Sequence, residues 1–241
     1  AGELSGKRRS FGIALFVFGG TLGLGCSPLW VPYYVTEIGF RWLPVTGIPS
    51  LILALLIWRI VPLENPHISD GTATSLRETL RGKKLTLSLM TAIVILRSVT
   101  SLGFGFFLPV LSETRGLDLV EGGIPLGIYN ISGVIGALVF GYLGDRVNPK
   151  PLIWGSILAA APSLYGYLHA EGAAAYGLLA LGGAMIMASN SLLVAMAQEL
   201  MPKSSGLASS LPLGFSWGIA GLTLTPIGYL ADQIGVAASL E

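Results

Sequence analysis

The sequence predicts an all-α protein that crosses a membrane many times, and three observations carry that reading. Apolar residues make up 52% of the 241 residues, only 11% are charged, and the mean hydropathy is +0.72. A soluble domain of this size needs far more Lys, Glu, Asp and Arg to keep its surface hydrated. Apolar stretches able to cross a hydrocarbon core of ~30 Å, which takes about 20 helical residues, occur seven times, at 11–35, 43–61, 85–111, 124–143, 151–169, 173–197 and 206–231. These runs lack the two-residue alternation of barrel strands, and lipid leaves only helices or closed barrels because every backbone polar group must be paired internally.

Taken in order, the first run carries Gly19, Gly20, Gly23, Gly25 and Pro28. In water these residues argue against a helix, but in a membrane bundle they mark kinks and close packing. The second run is apolar up to Arg59. A polar stretch at 64–84 follows, with Asn65, Pro66, Ser69, Asp70 and Gly71, and it reads as a linker between two helical units. The third run holds Arg97 about 12 positions inside, where an arginine costs about 2.5 to 3.5 kcal/mol to insert. Such a charge is expected to face a cavity, with Thr100 and Ser101 one turn on along the same face. The fourth run repeats small residues at Gly133, Ala137 and Gly141, a smooth stripe for a neighbouring helix. The small-xxx-small pairs Gly19 with Gly23 and Gly214 with Gly218 predict close approach in the first and last runs.

Function classes narrow quickly. The 14 basic residues lie in short clusters rather than one patch, so no nucleic-acid partner is expected despite the net charge of +1. Cys26 is the sole cysteine, and His67 and His169 are isolated, so no disulfide within the chain, metal site or cofactor is expected. An enzyme is not expected either, because no paired carboxylates, His cluster or activated nucleophile lies at depth. The polar groups inside the runs, Arg97, Ser101, Tyr129, Asn130 and Asn190, are candidates for a substrate pathway or its coupling. Tyr129, Asn130 and Asn190 are equally explained by hydrogen bonds between helices, and Arg97 by a buried ion pair. Gln198 and Glu199 sit at the end of the sixth run, and Glu199 reads as an interfacial residue, with a proton relay as the alternative. Met185, Met187 and Met196 read as packing, and Trp30 and Trp42 as interfacial anchors.

Orientation follows the basic residues, which stay on the cytoplasmic side in short loops. One side holds Lys7, Arg8, Arg9, Arg59, Arg77, Arg81, Lys83, Lys84, Arg146, Lys150 and Lys203, while the other holds only Arg41 and Arg115. The N-terminus is therefore expected in the cytoplasm. The phrase Gly141-Tyr-Leu-Gly-Asp145 returns as Gly228-Tyr-Leu-Ala-Asp232, three spans later and so on the opposite side, as an inverted three-helix repeat produces.

The loop Gly141-Tyr-Leu-Gly-Asp-Arg146, the central linker and the nested repeats resemble the major facilitator superfamily. Three stretches are most similar to its fosmidomycin-resistance-type drug efflux subgroup: Arg9-Ser-Phe-Gly-Ile-Ala-Leu-Phe-Val-Phe-Gly-Gly20, Ile95-Leu-Arg-Ser98, and Gln198-Glu-Leu-Met-Pro202 with Gly206-Leu-Ala-Ser209. The loop departs from the family pattern at Asn148 and Pro149. The resemblance implies a bundle of twelve helices, of which the seven runs are helices five to eleven. Residues 1–63 are then the last two helices of an N-terminal half, 64–84 the central cytoplasmic linker, and 85–241 a C-terminal half lacking its last helix. It further implies a monomeric secondary transporter of the inner (plasma) membrane, a proton-coupled antiporter exporting small drugs or metabolites by alternating access. Asp145, just past the stripe at Gly141, can accept hydrogen bonds from a neighbouring helix N-terminus or pair with Arg146 or a basic cluster; the resemblance makes that neighbour the basic end of the first span, and the contact is expected to act as a gate, with a solvated turn as the alternative. A seven-helix receptor or sensor, with Arg97 as a ligand anchor, stays open as the alternative.

Overall fold

The computed structural model describes residues 9–60, 84–201 and 205–241. Among them every regular element is helical. Helix α1 (Arg9–Ile38) is followed, through Gly39 at φ 97°, by a 3₁₀ stretch (Phe40–Gly47) and α2 (Ile48–Ile60). Then come α3 (Lys84–Thr114), α4 (Leu119–Gly144), α5 (Pro149–His169) and α6 (Gly172–Leu200). The last run begins as α7 (Ser205–Ser210), opens into a wide π-turn (Leu211–Phe215) and continues as α8 (Ser216–Ile234), with α9 (Val236–Leu240) closing the chain.

Among the described residues five stretches are long and apolar enough to cross a membrane: 10–38, 40–60, 85–114, 119–144 and 172–200. The other two of the seven expected spans are present as helix but fall short of that count. The last is divided by the π-turn at 211–215, and α5 carries Lys150, Gly155, Ser156, Pro162, Ser163 and Gly166 within 21 residues. The linker expected at 64–84 falls, apart from Lys84, outside the described residues.

Local chemistry sets the ends. Asp118 caps α4 reciprocally: its Oδ1 accepts from the backbone N–H of Val120 (2.8 Å) and Glu121 (2.7 Å), while Glu121 Oε2 accepts from the Asp118 N–H (3.3 Å). This capping box fills the free N–H groups of the first turn. Asn148 does the same for α5, accepting from the Lys150 N–H at 3.1 Å, with Pro149 at the position where a missing N–H costs nothing. The Asn-Pro pair that departs from the family pattern is thus a helix start.

α4 and α6 form the spine, with α1 on one flank of α4, α5 against α6, and α3 linking α4 to α8. Lipid removes the hydrophobic drive between helices, so packing rests on close van der Waals contact and small residues. The stripe in α4 supplies it. A Cβ at Gly133 meets Met187 Cγ at 2.8 Å, one at Gly141 meets Ala14 Cβ at 2.7 Å and the Ser10 carbonyl at 3.2 Å, and one at Gly136 overlaps the Ala184 carbonyl. Gly19, Gly23, Gly214 and Gly218 behave differently: each has open space around its missing Cβ. The close approach expected there does not occur among the described residues, and Gly25, beside Ile131 Cγ1 at 3.3 Å, makes the tight contact of α1 instead. α2 buries no residue against its neighbours.

Candidate functional site

Two apolar-walled cavities run through the bundle. The inner one, about 400 Å³, lies among α1, α3, α4, α6, the π-turn and α8, and its lining includes Thr21, Ser101, Tyr129, Asn130, Asn190 and Trp217. The second, about 660 Å³, lies towards the C-terminal ends of α1 and α3 and includes Glu113 and Asp118. Both are lined by Ser27, Pro28 and Leu126, so the inner cavity continues towards that end. At the opposite end α1, α4 and α6 meet in contact around Gly141.

That closed end is held by Asp145. Its Oδ1 accepts from the Ser10 N–H and its Oδ2 from the Phe11 N–H, both at 2.9 Å. A carboxylate at the C-terminus of α4 is badly placed for its own helix, whose last turn bears partial negative charge. Here the first turn of α1 offers it free N–H donors and partial positive charge. Arg146 does not pair with Asp145; its guanidinium lies over the Tyr142 ring, 4.0 Å from the centroid, and Tyr142 meets Phe11 of α1 edge-on at 6.1 Å. Cation and aromatic faces attract, so Arg146 braces the ring that touches α1. Lys7 and Arg8, expected beside this loop, lie outside the described residues. The sister phrase at Gly228 to Asp232 makes no such bond among the described residues; Gly228 faces Phe107 Cζ at 3.7 Å.

In the interior, Arg97 is 3% exposed and lies behind the cavity wall rather than in it. Its Nη1 donates to the Ile186 carbonyl (3.1 Å), and its Nη2 donates to Asn190 Oδ1 (3.2 Å) and Ser98 Oγ (3.4 Å). Its Nε has no partner, and it has no acidic partner among the described residues. The expectation that Arg97 faces the cavity with Thr100 and Ser101 beside it is therefore corrected. Thr100 turns outward and bonds the Leu96 carbonyl at 3.2 Å, while Ser101 reaches the cavity. A guanidinium surrounded by acceptors gains more by burial than by standing in an apolar-walled space.

Tyr129, 1% exposed, donates to the Ser101 carbonyl at 3.2 Å and stacks on Phe104 with centroids 6.3 Å apart. Asn130 has a more specific task. Pro28 cannot donate to the Leu24 carbonyl one turn earlier, and Asn130 Nδ2 donates to that oxygen at 3.4 Å, with Ser27 Oγ at 3.3 Å. The Pro32 ring likewise leaves the Pro28 carbonyl free, and that oxygen lies against Gly123, where a Cβ would overlap it. Proline-freed carbonyls thus fix where α1 meets α4. Asn130→Leu is expected to weaken that contact by about 1 kcal/mol, the net worth of one neutral hydrogen bond, read as a fall in melting temperature; an unchanged melting curve would mean that Ser27 satisfies the carbonyl alone.

Two residues of the site escape the sequence reading. Met187, expected to be packing, brings its Sδ to 3.8 Å from Ser101 Oγ and 4.0 Å from Arg97 Nη1 at the cavity wall. The Trp217 ring lines the cavity, while its indole N–H is buried away from it and has no partner among the described residues. The available signal was its position in the middle of a run, away from the interfaces where tryptophans collect. At the closed end, Gln198 Nε2 donates to Ser209 Oγ at 2.7 Å, joining two of the stretches that carry the family resemblance, while Glu199 is exposed.

The sequence matches the Major Facilitator Superfamily over residues 1–225. The chain belongs to that superfamily. Its members are membrane transporters rather than enzymes, and the receptor reading loses its ground. Among curated proteins it is 24% identical over 243 residues to the Fosmidomycin resistance protein of Escherichia coli (strain K12), covering 96% of this chain and 59% of that protein. It is 25% identical over 249 residues to the uncharacterized MFS-type transporter YfnC of Bacillus subtilis (strain 168), covering 98% of this chain and 60% of that protein. The chain therefore spans about three fifths of the length of these relatives. No solved structure matches it significantly.

Proposed function

We propose that this superfamily member works as a secondary active transporter, a monomeric, proton-coupled antiporter that exports small drugs or metabolites through the inner cavity by alternating access. The observation that carries the reading is the seat of Asp145 on the first turn of α1. One carboxylate at the end of one helix holds the N-terminus of another, a contact that a rocking motion can make and break as a unit. With the N-terminus cytoplasmic in the inner membrane, the closed end is the inside and the cavity continues outward, an outward-facing arrangement. Residues 1–63 then belong to one moving half and 85–241 to the other, joined by the linker at 64–84. Arg97, Ser101, Tyr129, Asn130 and Asn190 form or back the substrate pathway, and Gly141, Asp145 and Arg146 form the gate. Export of drugs draws support from the relative named for fosmidomycin resistance.

Asp145→Asn tests the gate. An asparagine keeps one acceptor but loses the charge and turns an N–H towards a donor, so about 1 to 2 kcal/mol of the closed state is lost, from hydrogen bonds to a charged group worth about 1.5–3 kcal/mol. The inward-open fraction should rise roughly tenfold. Spin labels at exposed Leu15 and Val147, with Cys26 replaced by serine, read that distance distribution in the intact protein. An identical distribution in the variant sinks the gate. Uptake of a phosphonate and of a lipophilic cation into inverted vesicles under a pH gradient tests coupling and direction.

A further inference from the structure

A guanidinium carries two hydrogens on each Nη, one on Nε, and no acceptor. The Nη2 pair of Arg97 meets Asn190 Oδ1 at 3.2 Å and Ser98 Oγ at 3.4 Å, and the Nη1 pair meets the Ile186 carbonyl at 3.1 Å and Met187 Sδ at 4.0 Å. Three of these acceptors are oxygens; the fourth is a thioether, which accepts only weakly. Ser101 Oγ approaches the same sulfur at 3.8 Å. Two donors, one of them charged, thus converge on an atom poorly suited to receive them, while Arg97 Nε has no partner among the described residues. Met187 is partly exposed and lines the inner cavity. Met90 and Met201 are buried, and neither they nor Met185 or Met196 line either of the two cavities, so Met187 is the methionine that a small solute in the bundle would meet.

Peroxides oxidise thioethers in one step. The sulfur lone pair takes up one oxygen atom as the O–O bond breaks; sulfur gives up two electrons, and the peroxide is reduced to water or, for an organic peroxide, to its alcohol. The product is polar and a strong acceptor, which in an apolar core is a lesion. At Met187 the acceptor is wanted. Its Cβ and Cγ are held against Gly133 of α4, which keeps the sulfur at the two donors. A sulfoxide oxygen stands one bond length nearer to them and turns long contacts with sulfur into hydrogen bonds to oxygen, one of them charge-assisted. We propose that Met187 is an oxidant-responsive modification site: a peroxide entering the inner cavity converts it to the sulfoxide, whose oxygen is received by Arg97 Nη1 and Ser101 Oγ and places a polar group in the cavity wall. The site is defined by these contacts and does not depend on the transport reading.

Hydrogen peroxide added to the intact protein in lipid nanodiscs, followed by peptide mass spectrometry, gives the oxidation rate of each methionine. Met187 is expected to oxidise about tenfold faster than the buried Met90 and Met201. Treated wild type should melt about 2–4 °C higher than untreated protein, because a buried guanidinium gains an oxygen acceptor. Met187→Leu, which has no sulfur there, should show no such rise. Ser101→Ala and Arg97→Gln each remove one donor, so in these variants Met187 still oxidises but the rise shrinks or disappears, a response that packing alone would not give. Met187 oxidising no faster than Met90 and Met201 overturns the site. A melting temperature that oxidation of Met187 leaves unchanged or lowers overturns the receiving role of Arg97 and Ser101. Both wild-type readouts decide the matter even where a variant fails to fold.

Discussion

Gly136→Val is expected to prevent the protein from reaching its folded state in useful yield. A Cβ at this position lies on the Ala184 carbonyl, with the Ala184 carbonyl carbon at 2.7 Å and its Cα at 2.8 Å. All three are backbone of α6, so no rotamer change relieves the overlap; the two helices must part along the spine of the bundle. Overpacking against side chains costs typically 1–3 kcal/mol, and a clash with backbone falls at or beyond the upper end. Gly133, one turn earlier on the same helix, is the internal control. There the added atom meets the flexible Met187 side chain, with Cγ at 2.8 Å and the Gly183 carbonyl at 3.3 Å. Gly133→Ala should therefore cost about 1 kcal/mol while Gly136→Val costs several-fold more. Size-exclusion profiles and melting temperatures in detergent read the difference. Equal stability of the two variants would show that α4 and α6 do not pack as described.

How much of this was readable beforehand depends on whether a residue acts within its own helix or across to another. Helix class, the run positions and the small-residue stripe of α4 follow from composition and a four-residue repeat, both properties of one segment. The seat of Asp145 on α1 was accessible through the family resemblance together with the chemistry of a carboxylate at a helix N-terminus; of the two partners open to it, helix N–H groups or basic side chains, the donors seen are the backbone N–H groups of Ser10 and Phe11. The glycines divide in the same way. Gly19 and Gly23 satisfy the same spacing rule as Gly133 and Ala137, yet no helix stands opposite them among the described residues. Spacing states that a face is smooth, and only the neighbour states that it is used. Arg97 shows the limit most clearly, since depth in the run was correct and direction was not. A charge expected in a cavity instead meets the Ile186 carbonyl and Asn190 behind its wall.

Arg97→Met is expected to make the protein more stable and less active at once. The arginine stands in the middle of α3, has no acidic partner among the described residues, and leaves its Nε unsatisfied. Placing such a charge at the centre of a bilayer costs about 2.5–3.5 kcal/mol on insertion scales. Methionine matches its length closely, is flexible, and would lie beside Met187. What the substitution takes away is smaller. The Ile186 carbonyl belongs to the interior of α6 and keeps its helical bond, and the Asn190 oxygen loses one hydrogen bond, worth roughly 1 kcal/mol net. The balance favours methionine by about 1 to 2 kcal/mol, which should raise the melting temperature by about 2–8 °C for a chain of this size. On the transporter reading transport should fall by tenfold or more, because the Asn190 amide at the cavity wall is then free to turn. Residues held at a cost to stability are characteristic of functional sites, and this one can be separated from a structural arginine by sign alone. A variant that melts lower than wild type while transporting normally would make Arg97 a packing element of the bundle and remove it from the pathway.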